Sequence, residues 1–188
     1  IKIVQDASAH KVTVTAGNQA FTEFIYPDSM EKPVLYPIYA ADGAIITRGY
    51  PIKPVPNEPI DHPHHVGLWM NYESVNGLDF WNNSFAIPAE KKAKYGWIKT
   101  TTITGIKNGA IGSFTYDADW HNINKETLLK EKTTFYFSQK NNVRVIDRVS
   151  TLTATTDVML KDVKDGFLGL RVAHQLELPS KEEREFTD

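Results

Sequence analysis

A chain of 188 residues with 41% hydrophobic and 23% charged residues has the composition of one folded unit rather than a disordered tail. A net charge of −2 provides no basic stripe to neutralise phosphates, which argues against nucleic-acid binding. Absence of cysteine removes disulfides, zinc–thiolate sites and thiol nucleophiles, and no apolar run nears the ~20 residues that span a bilayer.

In chain order, residues 1–23 read as a pair of strands. Lys11-Val12-Thr13-Val14-Thr15 alternates cleanly, and Ala16-Gly17-Asn18 turns the chain into Ala20-Phe21-Thr22-Glu23-Phe24. Residues 32–39 carry Pro33 and Pro37, which predicts an edge strand or an irregular segment rather than a central strand. Five prolines between Tyr50 and His64 (Pro51, Pro54, Pro56, Pro59, Pro63) predict a stiff loop that delivers the residues after it. Residues 67–72 read as a buried strand, Asn76-Gly77 as a turn, and residues 89–94 as a single helical turn. The basic run Lys91-Lys92-Ala93-Lys94 belongs to a solvated loop. Residues 99–106 and 110–120 read as strands joined at Lys107-Asn108-Gly109.

The next hairpin has testable register. The odd positions of 127–137 include Leu129, Glu131, Phe135 and Phe137, and those of 143–151 include Val143, Val145, Asp147 and Val149. A three-residue loop, Lys140 to Asn142, keeps these two apolar faces together and sets Phe135 beside Asp147. Glu131 and Asp147 then point inwards and each needs a partner, either Arg48 or Arg171 in an ion pair or a place in a cavity. Apolar residues return at 167–173, and the tail 181–188 is charged.

The densest chemistry lies in Asp61-His62-Pro63-His64-His65-Val66-Gly67-Leu68-Trp69, with three of the six histidines in four residues. Pro63 favours extended geometry at His62. In an extended chain His62 and His64 project to one face and His65 to the other. The cluster suits a metal, a proton shuttle or a polar ligand; the plainer alternative is a tight turn whose histidines satisfy backbone carbonyls. A cupin metal site shares the His62-Pro63-His64 spacing, but its following glutamate is missing, the first one downstream being Glu73.

Short strands, hairpin turns and almost no helix predict an all-β antiparallel sandwich or barrel, as a single domain over residues 1–188. Lys32-Pro33 to Tyr39, Thr47-Arg48, the histidine stretch and Val75-Asn76-Gly77-x-Asp79-Phe80-Trp81 resemble the PmoA-like family of bacterial proteins. Glu131, Asp147 and Asp162 to Ala173 continue the resemblance over nearly the whole chain. Val163-Lys164-Asp165-Gly166 departs from the family's usual Thr-Lys-Glu-Gly. Family members also run on past the equivalent of Asp188. The resemblance therefore implies the N-terminal larger part of a longer domain, completed by a missing C-terminal segment or a companion chain. Methane oxidation, which the family's name suggests, requires a membrane protein and is set aside.

The resemblance implies instead a galactose mutarotase-like supersandwich acting on a small-molecule carbohydrate. On that reading His64 or His65 is the catalytic acid and Glu131 the base. Arg48, Asp79, Lys164 and Arg171 bind substrate, while Trp69 or Trp81 stacks on the sugar. A variant places one divalent metal on His62 and His64 with Asp61 as third ligand or orienter. The competing classes are a non-catalytic carbohydrate-binding module and a structural sandwich domain of a secreted protein. Ile1 follows neither a methionine nor an apolar leader, so a leader already removed and a periplasmic or extracellular location are expected.

Overall fold

Alternation decides the first strands: in Lys11–Ala16, Val12 and Val14 are fully buried while the residues between them face outwards. The computed structural model describes residues 1–178 and places ten strands there; the charged tail at 181–188 lies outside the described residues. Strands β1 (Lys2–Asp6), β2 (Lys11–Ala16), β3 (Gln19–Ile25), β4 (Val34–Ile38), β5 (Leu68–Tyr72) and β10 (Gly166–Leu170) form one sheet, ordered β1-β2-β3-β4-β5-β10. Strands β6 (Trp97–Lys107), β7 (Ile111–His121), β8 (Thr127–Lys140) and β9 (Val143–Ala154) form a four-stranded meander. All ladders are antiparallel. Helix is limited to 3₁₀ turns at Ala89–Lys94 and His174–Leu176 among the described residues.

The protein is an all-β sandwich. Phe24 of β3 meets Phe114, Tyr116 and Phe135 of the second sheet at ring separations of 4.7–6.0 Å, and Phe21 meets Phe137 edge-on at 5.6 Å. A smaller apolar cluster of Val34, Tyr36, Val66, Trp69 and Trp81 backs the histidine stretch. No helix is long and apolar enough to cross a membrane among the described residues.

Two expectations are corrected. β4 is a central strand, between β3 and β5. The sheet admits Pro37 because the β3–β4 register shifts between Thr22 and Phe24, and β4 meets β5 through the single pair Leu35↔Leu68; a proline is tolerated where the ladder is interrupted. The β8–β9 hairpin closes through two residues, with Lys140 opposite Val143 and Asn141 at φ 54°. The even positions of β9 therefore turn inwards, and Phe135 faces Arg148. Asp147 is exposed. The shorter loop gives buried Glu131 a cation from the neighbouring strand, and that outweighs the exposure of Val143, Val145 and Val149.

Candidate functional site

The chain from Pro59 to His65 is held by one side chain. The Arg48 guanidinium, fully buried, donates Nη1 to the carbonyls of Pro59 and Asp61 and to Asp61 Oδ1, and Nη2 to the carbonyls of His62 and His65, at 2.6–3.1 Å. A planar, permanently charged fork suits several converging carbonyls. With these contacts goes a tight turn, in which His65 N donates to His62 O at 2.9 Å and His62 takes φ 45°. The extended geometry expected at His62 is thus overturned. Gly67 completes the approach: its φ is 58°, and a Cβ there would lie 2.2 Å from the Leu35 carbonyl of β4.

The turn brings all three imidazoles together. Ring centroids lie 5.6 Å apart for His62–His64, 4.8 Å for stacked His62–His65, and 4.3 Å for edge-on His64–His65. His65 also stacks on Trp69 at 5.2 Å and meets Trp81 edge-on at 6.0 Å. His62 is the exposed member, and His64 and His65 are half-buried.

Asp61 sets the electrostatics. Its Oδ1 accepts from Arg48 and from Arg171 Nη2, at 2.6 and 2.8 Å, and its Oδ2 accepts from His62 Nδ1 at 3.0 Å. Burial raises this carboxyl, but Arg171, the His62 hydrogen bond and Arg48 together hold it below its usual range. Asp61 thereby fixes Nδ1 of His62 as the protonated nitrogen and leaves Nε2 as the lone pair. His64 and His65 are neutral at physiological pH: burial first, then nearby cations including Lys32, lowers them to about 3 and about 2. Among the described residues no ring nitrogen of either has a hydrogen-bond partner.

Several expected roles change. Glu131 lies in the other sheet, where it accepts from Tyr116, Trp120, Thr133 and Arg148 at 2.5–2.8 Å; it is the centre of a buried polar network, and its cation is Arg148 rather than Arg48 or Arg171. Arg48 is spent on the loop. Arg171 is divided between Asp61 and Glu177. Asp79 accepts from the backbone and side-chain amides of Asn82, both at 2.8 Å, and so shapes its own turn. Trp69 is 2% exposed, covered by His65 and by Lys32, whose Nζ is 5.4 Å from the ring centroid. Trp81 packs on Trp69 at 5.3 Å. Neither indole offers a free face, so the outermost ring is His62. Lys164 precedes β10, whose Gly166 pairs with Tyr72 while Leu170 pairs with Leu68. It sits beyond the far end of β5 from the histidines, and that strand spans about 13 Å at ~3.3 Å per residue.

The expected divalent metal does not fit. No group of three His, Asp or Glu side chains is arranged to hold a metal ion among the described residues. Both oxygens of Asp61 are engaged, and Lys32, Arg48 and Arg171 surround the donors with positive charge. Sequence reasoning missed two residues. Arg148 was discoverable from the even-position pattern Ile146, Arg148, Ser150, Leu152. Lys32 stands at the head of the Lys32-Pro33 motif of the resemblance, but nothing beyond its place next to the apolar run that becomes β4 marked it for a role. It is 5% exposed and donates to the His64 carbonyl at 2.7 Å.

Fold and site together define an all-β sandwich protein with an arginine-clamped histidine loop. The chain belongs to a family of unknown function (DUF6807), whose model matches residues 11–186. No curated protein and no solved structure matches it.

Proposed function

We propose that the protein is a carbohydrate-active enzyme that opens or isomerises a sugar or oxidised sugar by acid–base chemistry at the histidine loop. The observation that carries this reading is the Asp61–His62 dyad beside two neutral, unpartnered imidazoles. His62 Nε2 takes the proton of the anomeric hydroxyl. The bond between the anomeric carbon and the ring oxygen breaks while an N–H of His64 or His65 hydrogen-bonds that oxygen. The oxygen takes a proton from water, His62 returns its own to water, and the opened sugar presents an aldehyde or ketone. Arg48 and Arg171 act through Asp61, holding its charge and orientation. The resemblance to PmoA-like proteins and to the mutarotase-like supersandwich supports sugar as the substrate class.

The test is anomer-exchange spectroscopy across aldoses, ketoses and uronates with the wild-type chain and with His62→Gln and Asp61→Asn. The expected result is catalysed exchange of at least one sugar, lost with His62→Gln and reduced ~10²-fold or more with Asp61→Asn, within the usual range for a positioned base. Binding of a sugar without catalysed exchange, unaltered by His62→Gln, would instead make the protein a binding module. Neither binding nor exchange would leave a structural domain.

A further inference from the structure

We propose that Lys32 is a carbonyl-reactive amine, forming an imine with the open-chain aldehyde or ketone of a sugar or sugar acid at the histidine loop. The substrate class rests on the acid–base reading; the reactivity of Lys32 rests on its surroundings alone.

Lys32 is buried without an ion-pair partner among the described residues. Its neighbour Glu31 is paired with Lys92 at 3.3 Å, and Asp79 is occupied by Asn82. Among the described residues Nζ has one hydrogen bond, to the carbonyl of His64, and otherwise faces the Trp69 indole. An ammonium stripped of water and left unpaired is strongly disfavoured, and releasing its proton removes that cost. Burial accordingly lowers this amine to about 7, with Glu31 and Asp79 opposing only in part. A lysine desolvated in this way is a nucleophile at neutral pH. Its hydrogen bond to the His64 carbonyl ties the amine to the backbone of the histidine loop.

The step balances without an oxidant or cofactor. The amine nitrogen adds to the carbonyl carbon, forming the C–N bond, and the C=O π pair moves to oxygen. A proton passes from nitrogen to that oxygen, directly or through water. The carbinolamine then loses its hydroxyl group together with the remaining N–H proton as water, and the nitrogen electron pair closes the C=N bond. Addition of water reverses the sequence and frees the amine.

The test uses the full chain with glycolaldehyde and cyanoborohydride at pH 7, read by peptide mass spectrometry. At pH 7 about half of an amine lowered to about 7 is neutral, against about 1 in 2,500 for an ordinary lysine. After allowing for burial and lower basicity, the Lys32 peptide is expected to gain a hydroxyethyl group at least ~10-fold faster than those of exposed Lys53 and Lys164. Lys32→Arg should abolish the fast adduct. Labelling of Lys32 no faster than of Lys53, or only after unfolding in urea, overturns the proposal, and this comparison needs only the wild-type chain. Fast labelling without turnover of any sugar upholds the amine and removes the acid–base reading. Sugar turnover with slow Lys32 labelling removes the amine alone.

Discussion

Replacing Arg48 by methionine keeps the length of the side chain but removes the fork that holds the histidine loop. Five hydrogen bonds from a charged donor are lost, each of a kind that contributes about 1.5–3 kcal/mol in isolation. They do not add. Asp61 retains Arg171 and His62, and the freed carbonyls of Asp61, His62 and His65 can turn towards water. The carbonyl of buried Pro59 has no such escape. The net loss is therefore about 4 kcal/mol, as for breaking a buried ion pair. In urea, with a slope of about 2 kcal/mol per molar, this lowers the unfolding midpoint by ~2 M. Arg48→Lys should lose nearly as much, since an ammonium cannot reach the carbonyls on both sides at once. A loss below ~1 kcal/mol for Arg48→Met, with the His62–His65 turn intact by NMR, would refute the view that this residue holds the loop.

Glu131→Gln is expected to destabilise the fold by about 3 kcal/mol, because Arg148 loses its buried counter-charge, while sugar exchange persists; a catalytic base would show the reverse split in urea melts and rate assays. Lys32 makes stability rise with pH between about 7 and 10.5, the window in which the folded amine has released a proton that the unfolded chain still binds. Lys32→Met should remove this slope and raise stability at pH 6 by up to about 4 kcal/mol, measured by urea melts at a series of pH values. His64 and His65 act at the acid end. Their folded values are depressed, so the unfolded chain takes up protons first, and stability falls as pH drops from 6.5 towards about 3. The double variant His64→Gln, His65→Gln should flatten that limb, by at most roughly 1.4 kcal/mol per pH unit for each ring.

Local patterns were enough to establish strands β2, β5, β6, β7 and β8, the turn at Asn76-Gly77 and the all-β class. Each depends on alternation or on turn chemistry within a few residues. The concentration of histidines beside Asp61 marked the loop for the same reason. Pairing and burial were decided by partners distant in the chain. Asn141-Asn142 permits either loop length, and only the cation that Glu131 requires selects the register that turns Arg148 inwards. Pro37 rules out an uninterrupted ladder, yet a bulge lets β4 stand in the middle of its sheet. Pro63 favours an extended His62, whereas Arg48, fourteen residues earlier, grips the carbonyls that close the turn. Lys32 looks like any surface lysine until Trp69 and the His64 carbonyl enclose it. Periodicity records which face of a strand is apolar. Which charge meets which, and which amine is left without water, depends on segments that only folding brings into contact.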